Sequence, residues 1–377
     1  MSNMNQYINI RQYNILSSAL SEPDTFKFND PLDCDPETRY TRLINKLQNE
    51  IKNNVPIFTL QEISLEWVNR LLIFFNDHNY IMIYNNYSSY VTDYMGVAIC
   101  FSRDFYKLEN VKMIKPRDII NERMKLKFAD YLVQKQKNIQ EKQSIFGIFS
   151  FNILLNIYNR FFNKTYNTKF NDIEDEYKMW QKASNKYNTL IMVQLQNIHK
   201  KSFVVGTYHM PCEFMHPKVM TIHSSIILQQ IQEYSNNPNN KLTRLSGAPD
   251  SNNLPYILSG DFNFTPTSPQ YKWYTLEKAL PDDDEAFTKL DKSDYFIHSR
   301  VTSVYPKLSE LEPLFTCFSK TVYKGKENNE FKNTLDYIFV SDNISVKSVL
   351  PLPDYTEYIP NTQEPSDHLM IGAELEI

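Results

Sequence analysis

What most constrains the fold of this chain is a recurring pattern: a strand-sized apolar run that stops at a polar residue able to hold a metal ion or a phosphate. Residues 8–13 stop at Asn14, residues 55–60 at Gln61 and Glu62, and residues 203–208 at His209. Residues 255–258 run into the turn Ser259-Gly260-Asp261-Phe262-Asn263, and the run 335–340 carries Asp336 near its start. Residues 97–101 and 190–195 are runs of the same kind. Near the end, Ser366-Asp367-His368 stands directly ahead of Leu369, Ile371, Ala373, Leu375 and Ile377, whose alternation is that of a half-buried strand. Such runs, separated by a predicted helix over 39–52, other helices and longer loops, predict an α/β protein with mixed sheets. Polar residues gathered at strand ends are where sites on such sheets form. A two-sheet sandwich with outer helices fits the pattern, and no fixed-period repeat is visible.

Residues 112–186 break the pattern. They open on a basic section that includes Lys112, Lys115, Arg117, Arg123, Lys125 and Lys127, pass through an aromatic-rich stretch at 146–162, and end in a polar helical pattern near 174–186. Asn152, Asn156, Asn159 and Arg160 within the aromatic stretch argue against a membrane span and for an amphipathic helix packed on the domain. The segment reads as an insertion within one domain covering 1–377. Hydrophobic residues at 42% and aromatics at 14% allow a large core and exclude disorder of the whole chain. A net charge of -4 excludes a broad basic surface that coats duplex nucleic acid, so any nucleic-acid site is local. Cys34, Cys100, Cys212 and Cys317 are far apart and form no CxxC pair, so neither a zinc cage nor a disulfide framework is suggested. The N-terminal stretch lacks a basic section followed by an apolar core, and no window reaches about 18 uninterrupted apolar residues. A soluble, intracellular, cytoplasmic protein without membrane association is expected.

Hydrolysis of a phosphodiester needs a cation to neutralise phosphate oxygens, a base to activate water, and donors for the developing charge. Glu62 offers a hard carboxylate to magnesium, and Asn14 an amide oxygen beside it. Asp261 and Asn263, two apart across one turn, can face one substrate. Asp336 can hold a histidine ring in one tautomer, with His368 as the candidate partner, and His209 can donate to a phosphate oxygen. Taken singly, each has an ordinary reading: Glu62 caps a helix, Asp261 and Asn263 form a turn, His209 is a satisfied buried histidine. Carboxylate and amide metal sites have no strict local spacing, so the residues by themselves lead to a hydrolase that uses a hard divalent ion and no further.

Read in order, YNIL, FTLQEI, GTYHMPC, LSGDFNFTP, TLDYIFVS and EPSDHLMI resemble the signature blocks of the endonuclease/exonuclease/phosphatase superfamily. The resemblance covers nearly the whole chain apart from 112–186. It implies a four-layer α/β sandwich like that of deoxyribonuclease I, with two mixed β-sheets flanked by helices. It implies Asn14 and Glu62 as metal-binding amide and carboxylate, Asp367 near the metal waters, and His209 against the scissile phosphate. Asp261 and Asn263 match the GDxN pair that orients the nucleophile and stabilises the transition state, and Asp336 and His368 match a carboxylate–histidine dyad. The implied cofactor is Mg2+, with Mn2+ as an alternative, as one or two ions.

Asn263 is followed by Phe264 and Thr265, unlike the extended block of phosphoinositide phosphatases, and the chain lacks the signs of a secreted deoxyribonuclease. The segments INIRQYNILSSALSEPDTF and LPDYTEYIPNTQEPSDHL are similar to the branch of nocturnin, the carbon-catabolite-repression-type deadenylases and the 2′,5′-phosphodiesterase. Within that branch Phe331 falls where a phenylalanine stacks on adenine, with ordinary packing as its alternative. Pro217 falls close to a base-packing proline, and Asn188 matches an asparagine ahead of a strand. The resemblance implies a 3′–5′ exoribonuclease acting on poly(A) or a related adenine-containing substrate, with single-stranded RNA or an adenine nucleotide as partner. The alternatives are a phosphatase or phosphodiesterase on a small adenine nucleotide such as NADP(H) or 2′,5′-oligoadenylate, and a non-catalytic nucleic-acid-binding module. A leucine-rich-repeat docking region is not expected, and the insertion has no counterpart.

Overall fold

The structure, a computed structural model, describes residues 7–87, 94–145, 164–236, 253–275, 286–287, 299–323 and 325–377. Its strands are β1 (Tyr7–Asn14), β2 (Ile57–Gln61), β3 (Tyr80–Tyr87), β4 (Met95–Ser102), β5 (Tyr106–Ile114), β6 (Leu190–Asn197), β7 (Ser202–His209), β8 (Tyr256–Asp261), β9 (Thr302–Ser303), β10 (Cys317–Ser319), β11 (Val322–Tyr323), β12 (Lys326–Glu327), β13 (Phe331–Asn333), β14 (Asp336–Val340), β15 (Ser345–Val349) and β16 (Ile371–Glu376). The helices are α1 (Pro31–Cys34), α2 (Pro36–Lys52), α3 (Leu65–Asp77), α4 (Pro116–Lys127), α5 (Ala129–Ile145), α6 (Lys164–Ser184), α7 (Pro217–Ser235), α8 (Pro269–Thr275) and α9 (Val304–Ser309).

Two six-stranded mixed sheets dominate, in the orders β15-β16-β1-β2-β4-β3 and β5-β6-β7-β8-β14-β9. Each has one parallel ladder, β1 with β2 in the first and β7 with β8 in the second. The inner faces meet in a core of Ile8, Ile10, Ile57 and Ile99 against Val193, Val205, Ile257 and Ile338. The first sheet's outer face is covered by α2 and α3. Asp35 caps α2 by accepting from the Thr38 amide at 2.8 Å, and the helix buries Tyr40, Leu43 and Leu47 as one stripe. Ser64 caps α3, which buries Trp67, Leu71 and Phe75 on Phe58 and Leu60. The second sheet's outer face takes α7, and α4 and α6 cover the far side of α7 through Ile120, Met124 and Trp180 on Val219, Ile222 and Ile226. A helix packed on both sides is buried nearly all round, which is why α7 shows no polar face. The expected four-layer α/β sandwich of two mixed sheets flanked by helices is therefore the observed fold.

The unusual segment expected at 112–186 starts later than its charge pattern suggested. Lys112 lies in β5 and pairs with Met192 of β6, because exposed lysines such as Lys107 and Lys112 are compatible with an edge strand. The helical part begins at Pro116. The amphipathic helix expected across 146–162 lies outside the described residues. Among the described residues, no helix is long and apolar enough to cross a membrane.

Candidate active site

Along the inner faces the strands change character toward one end. In β1 the inward positions run Ile8, Ile10, Gln12, Asn14; in β2 they run Ile57, Thr59, Gln61. In β7 they run Phe203, Val205, Thr207, His209, and in β8 Ile257, Ser259, Asp261. The polar rungs satisfy one another across the two sheets. Thr59 and Ser259 hydroxyls meet at 2.8 Å, Gln61 Nε2 donates to Thr207 Oγ1 at 3.0 Å, and Gln12 Nε2 donates to Asp336 Oδ1 at 3.0 Å. Buried polar groups need partners, so this ladder fixes how the two sheets align beneath the cleft.

The tips then converge. His209, Asp261 and Asp336 occupy one row of the second sheet, with Asn14 opposite Gln61 in the first. Strict alternation would turn Glu62 outward, but its backbone lies at φ 60, in the left-handed region, and brings the carboxylate back to the cleft. Asn263 is left-handed as well, at φ 51. Gly260 is required by close approach, since a Cβ there would lie 1.9 Å from the Tyr208 carbonyl oxygen.

Asn14 Nδ2 donates to Glu62 Oε1 and to Asp261 Oδ2, each at 3.0 Å, and Asn14 Oδ1 accepts from the Leu16 amide at 3.0 Å. His209 Nε2 is 3.5 Å from Asp261 Oδ2 and 3.9 Å from Glu62 Oε1. The Tyr87 hydroxyl lies 3.1 Å from His209 Nδ1, and Asn188 Nδ2 donates to the His209 carbonyl at 2.7 Å. His368 Nδ1 is 2.7 Å from Asp336 Oδ2, which also accepts from Thr316 Oγ1 at 2.5 Å. Asn263 is held by its amide on Asp261 Oδ1 at 2.9 Å and by its Nδ2 on the Met210 carbonyl at 2.9 Å. Ser366 Oγ donates to the Asn14 carbonyl at 2.7 Å and accepts from the His368 amide at 3.1 Å, joining the last loop to β1. The guanidinium of buried Arg39 clamps the same loops through the carbonyls of Ile15, Leu16 and Pro365.

Electrostatically, buried carboxylates crowd the site. Burial raises the Asp261 carboxyl, with His368 and His209 partly offsetting it. Burial also pushes Asp367 up to about 6. Burial works against the imidazolium of His368, yet Asp336, Cys317, Asp367 and Asp261 outweigh it and hold the ring's proton well above the usual histidine range. Buried carboxylates raised in this way are groups that a divalent cation would relieve. Glu62, His209 and Asp261 offer ligand atoms within 4.8 Å of one another, so the donor set fits a hard cation. The Asn14 amide nitrogen now occupies the place between Glu62 and Asp261, and half a turn of the amide would present its oxygen instead.

These residues floor a cleft of about 800 Å³, whose walls include Tyr94, Tyr187, Asn188, Phe214 and Phe331. Asn14, Glu62, Asn188, His209, Asp261, Asn263, Phe331, Asp336, Asp367 and His368 are thus brought together. Pro217 is not. It begins α7 and lines a separate cleft of about 230 Å³ with Asp175 and Met179, because residues 212–216 lengthen the loop and carry it away. Phe214 from that loop stands across from Phe331 instead, ring centroids 6.3 Å apart. Sequence reasoning missed Tyr87, Thr316, Gln12 and Phe214. Gln12 alone carried a signal, as a polar residue in an otherwise inward apolar series.

The Endonuclease/Exonuclease/phosphatase family model matches residues 232–368, which include Asp261, Asn263, Asp336 and His368. Over that part the chain is similar to the endonuclease/exonuclease/phosphatase family. Among its relatives, the carbon catabolite repressor protein 4 homolog 4 of Arabidopsis thaliana is 35% identical over 130 residues, 32% of this chain and 27% of that protein. Human 2′,5′-phosphodiesterase 12 is 30% identical over 128 residues, 32% of this chain and 19% of that protein. The chain therefore matches well under half of either relative's length. The structure of ANGEL2, a 2′,3′-cyclic phosphatase, in complex with adenosine-2′,3′-vanadate, has a TM-score of 0.64 at 15% identity, covering 98% of this chain and 96% of that one. This likeness shows the same fold across the whole length, beyond the 232–368 match.

Proposed function

We propose that the chain is a metal-dependent phosphodiester hydrolase, acting as a 3′–5′ exoribonuclease on poly(A) or on a related adenine-containing substrate. The observation that carries this reading is the Asp336–His368 pair, 2.7 Å apart, set at one cleft with Glu62, His209, Asp261 and Asn263. Glu62 and Asn14, with Asp367 nearby, would hold Mg2+ or Mn2+, which when bound neutralises the phosphate oxygens. His368 gives Nδ1 to Asp336, so its Nε2 faces substrate as a donor. Asp261 carries an acceptor-only carboxylate beside both histidines and is placed to take a proton from the attacking water, with Asn263 orienting it. The Tyr87 hydroxyl on His209 Nδ1 favours the tautomer with hydrogen on Nε2, the atom that would meet a phosphate oxygen.

Phe331 and Phe214 at the cleft wall support a flat base as the bound group. A second reading, hydrolysis of a small adenine nucleotide such as NADP(H), 2′,5′-oligoadenylate or a 2′,3′-cyclic phosphate end, is favoured by the cleft's size, which suits a mononucleotide or dinucleotide. The test is a panel at fixed magnesium: oligo(A), oligo(U), 2′,5′-oligoadenylate, NADPH and a 2′,3′-cyclic adenylate. The first reading requires oligo(A) shortened to 5′-AMP in preference to oligo(U). Turnover of only the small nucleotides would replace it with the second. Hydrolysis of none, in a folded protein, would sink both and favour a non-catalytic module.

A further inference from the structure

Cys317 sits in the wall of this cleft, buried and unpaired. Two backbone hydrogen bonds stitch its strand to the loop that carries Asp367 and His368. The Phe318 amide donates to the Asp367 carbonyl at 3.1 Å and the Leu369 amide to the Thr316 carbonyl at 2.6 Å, which makes Cys317 and His368 an isolated antiparallel pair. Residues directly opposite in such a pair bring their side chains together. The Cys317 thiol, an Asp367 carboxylate oxygen and a His368 ring nitrogen accordingly lie within 4.8 Å of one another. Nδ1 of His368 is committed to Asp336, which leaves Nε2 as the nitrogen free to ligate and fixes the ring as a second-sphere carboxylate would.

We propose that Cys317, Asp367 and His368 form an inhibitory site for a soft divalent cation of the Zn2+ class, separate in chemistry from the hard-ion position at Glu62. Thiolate, imidazole and carboxylate together suit tetrahedral zinc with one open position for water, whereas magnesium rejects sulfur and demands oxygen. Ligand atoms around tetrahedral zinc lie roughly 3.3–3.8 Å apart, so small side-chain rotations close the set. Binding displaces the thiol proton of Cys317 and the Nε2 proton of His368 to solvent and forms the metal–sulfur and metal–nitrogen bonds. It also occupies Nε2 of His368 and the Asp367 carboxylate, withdrawing the first from a bound phosphate and the second from the magnesium position. The inhibitory consequence rests on the hydrolase reading above; the binding does not.

Cobalt(II) serves as the spectroscopic probe on the full chain. The parent and Cys212→Ser are expected to show a thiolate-to-cobalt charge-transfer band at one equivalent, bleached by one equivalent of zinc, and Cys317→Ser to lack it. In the parent itself, zinc should protect Cys317 but not Cys212 from alkylation, read by peptide mass spectrometry, which covers the case of a Cys317 variant that fails to fold. The zinc concentration that halves magnesium-supported hydrolysis should rise at least about ten-fold in Cys317→Ser, each protein referred to its own zinc-free rate. A band that survives in Cys317→Ser, or equal alkylation with and without zinc, overturns the site. Equal zinc sensitivity of the two proteins overturns its inhibitory role. If no ester is hydrolysed by the parent, the hydrolase reading falls while the cobalt band still decides the site.

Discussion

Asp336 accepts from His368, Thr316 and Gln12 at once, and so ties the dyad to the polar ladder between the sheets. Asp336→Asn removes the negative charge that most favours the His368 imidazolium. The ring's pKa should fall, the alkaline limb of the rate profile should move to lower pH, and kcat should drop by about 10²-fold or more. A pH–rate profile superimposable on the parent's would remove the dyad from the reaction. Tyr87→Phe should lower kcat by about ten-fold with KM little changed, since the hydroxyl sets a tautomer rather than a binding surface, and should shift stability by about 1 kcal/mol. Steady-state kinetics and a urea titration separate those effects. Phe331→Ala and Phe214→Ala should each cost roughly 1–3 kcal/mol in kcat/KM on oligo(A) and leave bis(p-nitrophenyl) phosphate nearly unchanged. An equal fall on both substrates would mean that these rings only pack.

At the scale of elements, the basic segment is docked rather than appended. Trp180 of α6 is buried against Phe128 and the face of α7, with Lys127 over its ring. Trp180→Ala should destabilise the protein by about 3–5 kcal/mol, and Trp180→Phe by much less, because the smaller change leaves most of the contact surface in place. Equilibrium denaturation checks this, and a loss below 1 kcal/mol would mean that the segment folds independently of the sheet. Many strands were legible beforehand, as apolar runs ending in chemistry-bearing residues. β3, β5 and β15 were not, because edge or near-edge strands carry polar residues on alternate positions and read as loops. The polar helical pattern near 174–186 did appear as the end of α6.

The docking of that segment is also sensitive to pH across the whole molecule. His223 of α7 is completely buried, between the Tyr208 hydroxyl at 2.7 Å and the Ala183 carbonyl at 3.0 Å, with Lys186 and Glu213 as the nearby charges. Burial pushes its pKa down to about 4, from 6.5 in the unfolded chain. Between those values the unfolded chain takes up a proton that the folded one does not, so stability is full above pH 6.5 and declines as pH falls toward 4. The loss amounts to about 3 kcal/mol. His223→Gln should flatten that part of the stability curve, measured by urea unfolding at intervals from pH 7 to pH 4. A variant as steep as the parent would place the linkage elsewhere.

The order of apolar runs and polar tips was enough to determine the fold class, and with the signature blocks it named many, though not all, of the residues that meet in the cleft, because strand ends on one side of a sheet are set by alternation and direction. Sequence alone could not say which side chains cross between sheets, since Gln12 and Asp336 are remote in the chain and only sheet packing brings them into contact. Nor could it separate Phe214 from Pro217, because loop length, not residue type, decides which one reaches Phe331. Cysteine spacing gave no hint of a soft-metal site either. Cys317 and His368 become neighbours only through a backbone bridge between segments far apart in the chain, and it is that bridge, formed in the folded state, that turns three ordinary residues into one ligand set.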